Sequence, residues 1–579
     1  FSLIAYHGLA GAFLAPRVAY SCRRPEGSLA ASARATSPEL TPGGVGATEE
    51  AKPECSYFAL NSSSGQVEEE PCTVWDFDNS TFRSTVGSEF QLACGWEYLR
   101  STYQSIYMFG VTIGAPFNGI LADRDTLQTL HMDWLTFLFS FCLHILRHHC
   151  LRAVDFRKCR NFQQSCTWCL KVRRITTYGR KTTLAIGSIA YSTLAIGSCS
   201  IPNLSALLTT RFLMGAILPT ILKTGYILGT EVAEPKWRMH VGIVLFMPWA
   251  IGITAWGGFA YLVREWRMLQ LTVSLLWLVF LPPLWFLDES PRWLAVRGQH
   301  RRALRVLQKA ARWNGVALPP DEELLLLLKD GVKDEVLEHP HQGTHTHKPK
   351  GAFRRHLDEA FILFRTPRLR TITLSLYTNY LLVGVVYFGL SLSGGDLSSD
   401  PFLYMALTGV VELPAYTLVI PVVARFGRRA PVVAFFFVGA VALLALPFVP
   451  AGSGGSMALA LLGKMSIASA FQILDFYSVE LFPTEVRTRG TSTALIMSRV
   501  GSTCSPFITD YLGPLYPWAP SAVFGAASVV AGLATLALPE TLHVPLPDTV
   551  AHLEERQIRT RGFLRLPVRE PSFGTTDAE

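Results

Sequence analysis

Long apolar stretches of the sequence contain charged residues, and four of these are candidates for a binding site: Lys223, Glu412, Asp475 and Arg499. A charge in the apolar interior of a membrane is costly, so such residues usually bind a substrate or an ion, or pair with one another. A guanidinium can hold a carboxylate or a sulfonate through two parallel hydrogen bonds, which makes Arg499 the candidate anion-binding group. Together the four residues can bind a zwitterion, couple binding to protons, or neutralise each other.

Aromatic residues occur along two of the same stretches, and they are Tyr377, Tyr380, Tyr387, Phe388 and Tyr404. A tyrosine offers an apolar ring and a hydroxyl group, which suits the wall of a cavity for a small molecule. The same residues equally suit simple packing between helices. We take Tyr380 as the candidate binding residue among them.

The segments that must position these residues are long and apolar. The chain has 579 residues, of which 49% are hydrophobic and 17% are charged. A helix of about 20 apolar residues crosses the hydrocarbon core of a membrane. Eleven stretches fit, namely 101–122, 182–203, 204–229, 239–262, 266–287, 371–392, 402–423, 430–449, 456–479, 490–512 and 517–538. Residues 1–15 are apolar but shorter, and we interpret them as a truncated first span, which predicts an all-α membrane protein with twelve transmembrane helices.

Residues 16–98 have the composition of an extracellular loop. Between residues 22 and 95 there are eleven acidic and five basic residues. Cys22, Cys55, Cys72 and Cys94 predict disulfides on an oxidising face, with three possible pairings. Asn61 and Asn79 begin glycosylation sequons.

With that loop outside, every strongly basic connection falls on the inner side, as the positive-inside rule requires. The central loop, 289–370, carries sixteen Lys and Arg residues and is therefore cytoplasmic. Residues 542–579 form a cytoplasmic tail, so both termini of the complete protein are expected in the cytoplasm.

The inner loops reveal an internal repeat. Tyr178-Gly-Arg-Lys follows the second span and Phe426-Gly-Arg-Arg follows the eighth, while Glu231…Arg238 and Glu480…Arg487 follow the fourth and the tenth. Two six-span halves are typical of carriers built from parallel repeats, and here they are 1–15 with 99–288 (spans 1 and 2–6) and 371–541 (spans 7–12). We expect the loops to form a latch in which Glu231 pairs with Arg428 or Arg429 and Glu480 pairs with Arg180, although the charges can simply set the topology. The latch candidates are Asp123, Arg124, Gly179, Arg180, Glu231, Arg238, Gly427, Arg428, Arg429, Glu480 and Arg487.

Three motifs resemble those of a known family. They are CTVWDFDNSTFRSTVGSEFQLAC (72–94), DESPRWL (288–294) and LGKMSIASAFQILDFYSVELFPTEVRTRG (462–490). Together they resemble solute carrier family 22, the organic cation and anion transporters of the major facilitator superfamily. The resemblance implies the major facilitator fold and a secondary, alternating-access transporter in the plasma membrane.

The resemblance also exposes an interruption. In that family the loop after the second span is continuous, whereas here Asp123-Arg124 and Tyr178-Gly179-Arg180-Lys181 are separated by residues 125–177. We expect this segment to be a non-native insert from a mistaken exon junction. An insert that is present in the protein puts the joint action of Asp123 and Arg180, and with it transport, in doubt, so a third alternative beside carrier and receptor is a non-functional form of the chain. Alternatives are a membrane-surface helix at 134–146 and a zinc site at Cys166 and Cys169 with His148 and His149.

The resemblance favours organic anions, since the family's anion transporters carry an arginine where Arg499 stands and its cation transporters an aspartate. Two departures complicate this. Tyr416 occupies the place of a lysine of the anion transporters, and Asp475 that of an uncharged residue. The partners expected are a small organic ion, the lipid bilayer, and a coupling ion or exchanged anion.

Other functions lack support in the sequence. GxxxxGK[ST] does not occur, no hydrolytic constellation stands out, and we predict no enzyme activity, no cofactor, no bound metal and no nucleic-acid partner. The alternative function is that of a non-transporting receptor or scaffold, which would bind a ligand through residues 16–98.

Overall fold

The computed structural model describes residues 2–23, 55–60, 67–123, 179–232, 244–338, 362–398, 400–450 and 452–542, with residues 544, 547, 549–550 and 553–554. Several expectations fall outside these ranges. They concern the insert 125–177, most of the tail 542–579, Asn61, Arg124 and Arg238.

Helices occupy all eleven predicted apolar stretches and part of the first fifteen residues. They are α1 (Ser2–Gly8), α2 (Tyr98–Asp123), α3 (Arg180–Ser198), α4 (Leu204–Val232), α5 (Met247–Leu262), α6 (Trp266–Phe280), α7 (Pro367–Leu392), α8 (Pro401–Phe426), α9 (Arg429–Ala445), α10 (Gly454–Leu481), α11 (Arg487–Phe507) and α12 (Ala519–Leu536). By length and composition alone, seven helices among the described residues can cross a membrane. Apolar stretches fold as helices because a helix satisfies its own backbone hydrogen bonds in lipid.

The repeat in the sequence is also a repeat in the packing. Helix α2 packs against α11, and α8 packs against α5, and both contacts join the two halves. The members of one contact lie six spans away from the members of the other. Within the second half, α7 and α11 approach closely, since a Cβ atom on Gly501 would lie 2.9 Å from the backbone nitrogen of Val385. Small residues at such crossings let helix backbones pack in direct contact.

The segment that precedes α2 forms a small disulfide-linked unit. β1 (Tyr20–Cys22) pairs with β4 (Trp75–Phe77), and β2 (Ser56–Leu60) pairs with β3 (Val67–Pro71), both antiparallel. The disulfides are Cys22–Cys72 and Cys55–Cys94, with Cα atoms 5.9 and 5.8 Å apart. All four predicted cysteines are therefore paired, and the structure selects one of the three possible pairings. Asn79 is exposed on this unit.

Three further helices follow α6, namely Pro291–Val296, His300–Asn314 and Asp321–Glu338. The Ser290 hydroxyl accepts a hydrogen bond from the Trp293 backbone N–H at 3.3 Å, which caps the first of them. The second ends at Gly315, whose φ of 66° favours glycine. Leu294, Ala295 and Ala303 pack together as a separate small core, so this part of the central loop is folded.

Candidate functional site

The latch residues pair within each half. The Nη2 atom of Arg180 lies 3.7 Å from Oε1 of Glu231, and both belong to the first half. In the second half, Nη2 of Arg428 lies 2.9 Å from Oε1 of Glu480 and Nε lies 3.0 Å from Oε2. The prediction that Glu231 pairs with Arg428 or Arg429, and Glu480 with Arg180, was wrong. Arg180, at the start of α3, lies beside the end of α4, and Arg428, just before α9, lies beside the end of α10, so the repeat produces two corresponding internal pairs.

A glutamate after the last span of each half caps the helix that carries the latch arginine. Glu289 accepts hydrogen bonds from the Lys181 backbone N–H at 3.2 and 3.3 Å, in the first turn of α3. Glu540 accepts from the backbone N–H groups of Arg428 at 2.9 Å and Arg429 at 3.0 Å, at the start of α9. Exposed amides at a helix N-terminus favour a negative charge, which explains both contacts.

The second cap depends on a glycine and an ionised carboxylate. Gly427 has a φ of 82°, and a Cβ atom there would lie 2.7 Å from the Glu540 carboxylate. Only glycine therefore suits this position. Burial raises the pKa of Glu540, but four backbone N–H groups outweigh burial, so the pKa is lowered from its ordinary value.

The other described latch candidates lie at the ends of helices. Arg429 donates through Nη2 to the Leu536 carbonyl at 2.5 Å, and Arg487 donates through Nε to the Phe482 carbonyl at 3.2 Å. Asp123 is the last residue of α2, and Gly179 directly precedes α3.

Glu412 has a partner that the sequence analysis missed. Its Oε1 lies 3.1 Å from Nζ of Lys464 on α10, and neither side chain has exposed surface. The hydroxyls of Tyr387 and Tyr416 donate to the same carboxylate at 2.5 and 2.8 Å. Lys464 lies in the apolar stretch 456–479, so its position could have been predicted in the same way as those of the other charged residues within apolar stretches. The carboxylate is fully engaged by its neighbours.

Asp475 is held by an aromatic residue of the predicted set. The Tyr380 hydroxyl donates to Oδ1 of Asp475 at 3.0 Å, and it also lies 3.1 Å from the Leu474 carbonyl. Tyr380 has no exposed surface. Tyr404 is equally buried and donates to the Leu390 carbonyl at 2.8 Å, which makes it a packing residue.

Arg499 and Lys223 face the same interior region from different halves. Arg499 lies within electrostatic range of Lys223, of Asp475, and of Tyr107 on α2. Among the described residues, neither cation has an ion pair or a side-chain hydrogen bond, whereas Asp475, the carboxylate within range of Arg499, accepts a hydrogen bond from Tyr380.

One end of the helical bundle is closed by contacts between the halves. Arg100, near the start of α2, lies 2.7 Å from Oδ1 of Asp510, which follows α11. Ser101 donates to the same carboxylate, and Ser105 donates to the Thr503 carbonyl at 2.8 Å. This end adjoins the disulfide-linked unit, so in the predicted topology it is the outer end. Arg100 and Asp510 were not among the predicted site residues, because they lie at the edges of apolar stretches.

Comparison with known proteins places these features in a family. A profile described as "Sugar (and other) transporter" matches residues 171–550. Solute carrier family 22 member 6 of Oryctolagus cuniculus is 31% identical, over 84% of this chain and 76% of the relative. Member 20 of Mus musculus is 30% identical over 87% and 79%, and the organic cation transporter protein of Drosophila melanogaster is 26% identical over 94% and 88%. The xylose transporter of E. coli, in an inward open conformation, aligns with a TM-score of 0.49 at 16% identity over 80% of this chain and 99% of that one.

Proposed function

This chain belongs to solute carrier family 22, within the sugar (and other) transporter family, and we propose that it carries small organic anions across the plasma membrane by alternating access. It is a multi-pass membrane protein with the major facilitator fold, and it belongs to a family of transporters and not of enzymes. Some of the similar proteins are named as organic cation transporters, so the proposed preference for anions rests on this chain's own residues.

The observation that carries the preference is the unequal pairing of buried charges. Glu412 is neutralised by Lys464, and Asp475 accepts a hydrogen bond from Tyr380. Arg499 and Lys223 are left without a comparable partner among the described residues. Arg499 and Lys223 are partly buried, and a partly buried cation without a partner is less stable than a paired one, so an entering carboxylate or sulfonate supplies the missing partner.

The transport cycle follows from the contacts between the halves. The closed outer end, held by Arg100 and Asp510, corresponds to a carrier whose central site is reached from the cytoplasm. Outward opening separates Arg100 from Asp510 while the pairs Arg180–Glu231 and Arg428–Glu480 hold the inner ends of their own halves. Each half then moves as a unit about the central site.

The test is uptake of labelled carboxylates, sulfonates and quaternary ammonium compounds by cells that express the chain. The variants are Arg499→Gln and Lys223→Gln, and the matched control is Arg312→Gln, which removes an exposed charge from a cytoplasmic helix. We expect each central variant to lower anion uptake at least about tenfold, since removal of one member of a buried charged contact costs about 2–5 kcal/mol. Arg312→Gln should leave uptake unchanged.

Each arm is measured in the whole chain and in a version that lacks 125–177, because that segment interrupts the loop after α2. Surface protein is quantified in every case. Cation uptake without anion uptake would overturn the anion preference. Absence of all uptake by surface-exposed protein of both versions would instead favour a receptor that binds its ligand through residues 16–98.

A further inference from the structure

A second group of unpaired polar residues lies inside the first half. Arg211 on α4 and His7 on α1 are each 1% exposed. Tyr103 and Tyr107 on α2, with Tyr191 on α3, enclose them. Four helices therefore bury a guanidinium and an imidazole in one place.

The hydrogen bonds of this group are incomplete. Arg211 donates through Nη2 to the Tyr103 hydroxyl, but its Nε and Nη1 atoms have no partner among the described residues. Both ring nitrogens of His7 are likewise without a partner there, and so is Nε1 of the neighbouring Trp277. A native structure seldom leaves one buried polar nitrogen unsatisfied, and five such atoms in three residues indicate a missing acceptor.

The aromatic neighbours do not supply that acceptor. The Arg211 guanidinium lies 4.2 Å from the centre of the Tyr103 ring and 5.9 Å from that of Tyr107. The hydroxyls of Tyr107 and Tyr191 hydrogen-bond to each other at 2.9 Å. A ring face attracts a cation but leaves its N–H groups without an oxygen acceptor. Within the described residues no carboxylate forms an ion pair with Arg211, so its charge stays uncompensated.

From these contacts we propose that the cluster binds a single small inorganic anion, of the size and charge of chloride, between Arg211 and His7. A monoatomic anion accepts several N–H donors at once and neutralises the guanidinium, whereas water satisfies donors without neutralising the charge. Arg211 is also the charged group that acts electrostatically on His7, which places the two side chains at one site. Tyr107 lies within electrostatic range of both Arg211 and Arg499, so the cluster borders the proposed substrate site but is built from different residues.

The proposal is tested by the thermal unfolding of the purified full chain in detergent. Sodium gluconate is replaced stepwise by sodium chloride, and then by sodium bromide, at constant ionic strength. A ligand that binds only the folded state raises the melting temperature with its concentration. We expect a chloride-dependent rise that is lost in Arg211→Gln and kept in Arg499→Gln.

A second variant tests the same site if Arg211→Gln does not fold. His7→Ala removes one donor and retains the guanidinium, and it should raise the chloride concentration at half-effect about tenfold, as the loss of one hydrogen bond to a charged group predicts. The proposal is overturned by an unchanged chloride response in Arg211→Gln or His7→Ala. A chloride response that is lost only in Arg499→Gln would also overturn the proposal. So would a melting temperature of the native chain that does not change with chloride or bromide, which would indicate that water and not a halide occupies the cluster.

Discussion

Arg428 and Glu480 form a bidentate ion pair within the second half, and Arg180 and Glu231 form a looser pair, 3.7 Å apart, at the corresponding place in the first. Both Arg428 and Glu480 are about four-fifths buried, with side-chain exposures of 21% and 23%. The pairs therefore tie the inner ends of helices to their own half, and they leave the two halves free to move relative to each other.

Charge exchange distinguishes an internal pair from a pair between halves. Arg428→Glu should lower the melting temperature, and adding Glu480→Arg should restore part of the loss, with a coupling of about 1 kcal/mol. Adding Glu231→Arg instead should not restore it, because Glu231 belongs to the other half. Thermal unfolding of the three variants measures both couplings. If only Glu231→Arg restored the melting temperature of Arg428→Glu, Arg428 would instead pair with Glu231 of the other half.

The contact between Arg100 and Asp510 should govern the opening of the outer end. Asp510→Asn weakens this contact and should raise the rate at which a membrane-impermeant thiol reagent modifies Ser105→Cys by about tenfold, as a change of about 1.4 kcal/mol predicts. Ser105 is buried at the contact between α2 and α11, which makes it a suitable reporter. The background carries Cys504→Ser, since Cys504 is a free, exposed thiol. Equal rates with and without Asp510→Asn would show that other contacts close this end.

The buried pair of Glu412 and Lys464 should be far more sensitive to neutralisation than an exposed pair. Glu412→Gln leaves the Lys464 charge without a partner and should cost about 3–5 kcal/mol of folding free energy. Adding Lys464→Gln removes that charge and should recover most of the loss. The matched control is Asp288→Asn, which breaks the more exposed pair with Lys309 and should cost less than about 1 kcal/mol. A double variant with a free energy of unfolding no higher than that of Glu412→Gln alone would contradict this account.

The disulfide pairing makes a prediction about combined variants. Removal of Cys22–Cys72 or of Cys55–Cys94 should cost about 2–5 kcal/mol and reduce the amount of glycosylated protein at the surface. Cys22→Ser with Cys72→Ser should resemble either single variant, because both changes break one bond. Cys22→Ser with Cys55→Ser should be more severe, since it breaks two. Equal severity of the two double variants would indicate another pairing.

Acid should weaken the cap that Glu540 forms on α9. Because the pKa of folded Glu540 lies below that of the unfolded chain, its contribution to stability is present above the unfolded value, about 4.3, and is lost as the pH falls through the folded value. The melting temperatures of the native chain and of Glu540→Gln should thus differ at pH 7, and the difference should begin to shrink as the pH falls below about 4.3, the unfolded value. Glu322→Gln, at an exposed site, controls for acid effects elsewhere. A difference that persists unchanged at low pH would contradict the role of the charge.

The apolar stretches and their order were predictable from sequence because they obey local rules. A run such as 456–479 must form a helix wherever it crosses lipid, and the basic loops orient the whole series. The repeat was equally visible, since Gly179 and Gly427 stand in matching motifs of the two halves. Those regularities depend on neighbouring residues and on spacing along one chain.

Pairing was decided only by the tertiary structure. The sequence spacing does not show whether Arg180 pairs with Glu231 or with Glu480, because the two glutamates stand in matching inner loops of the two halves. The structure shows that Arg180 pairs with Glu231. Lys464 neutralises Glu412 and leaves Arg499 unpaired because α10 and α8 pack side by side, a contact that joins residues 52 positions apart. The sequence alone therefore determined which residues bear charge within the membrane, and helix packing determined which of those charges remain available to a ligand.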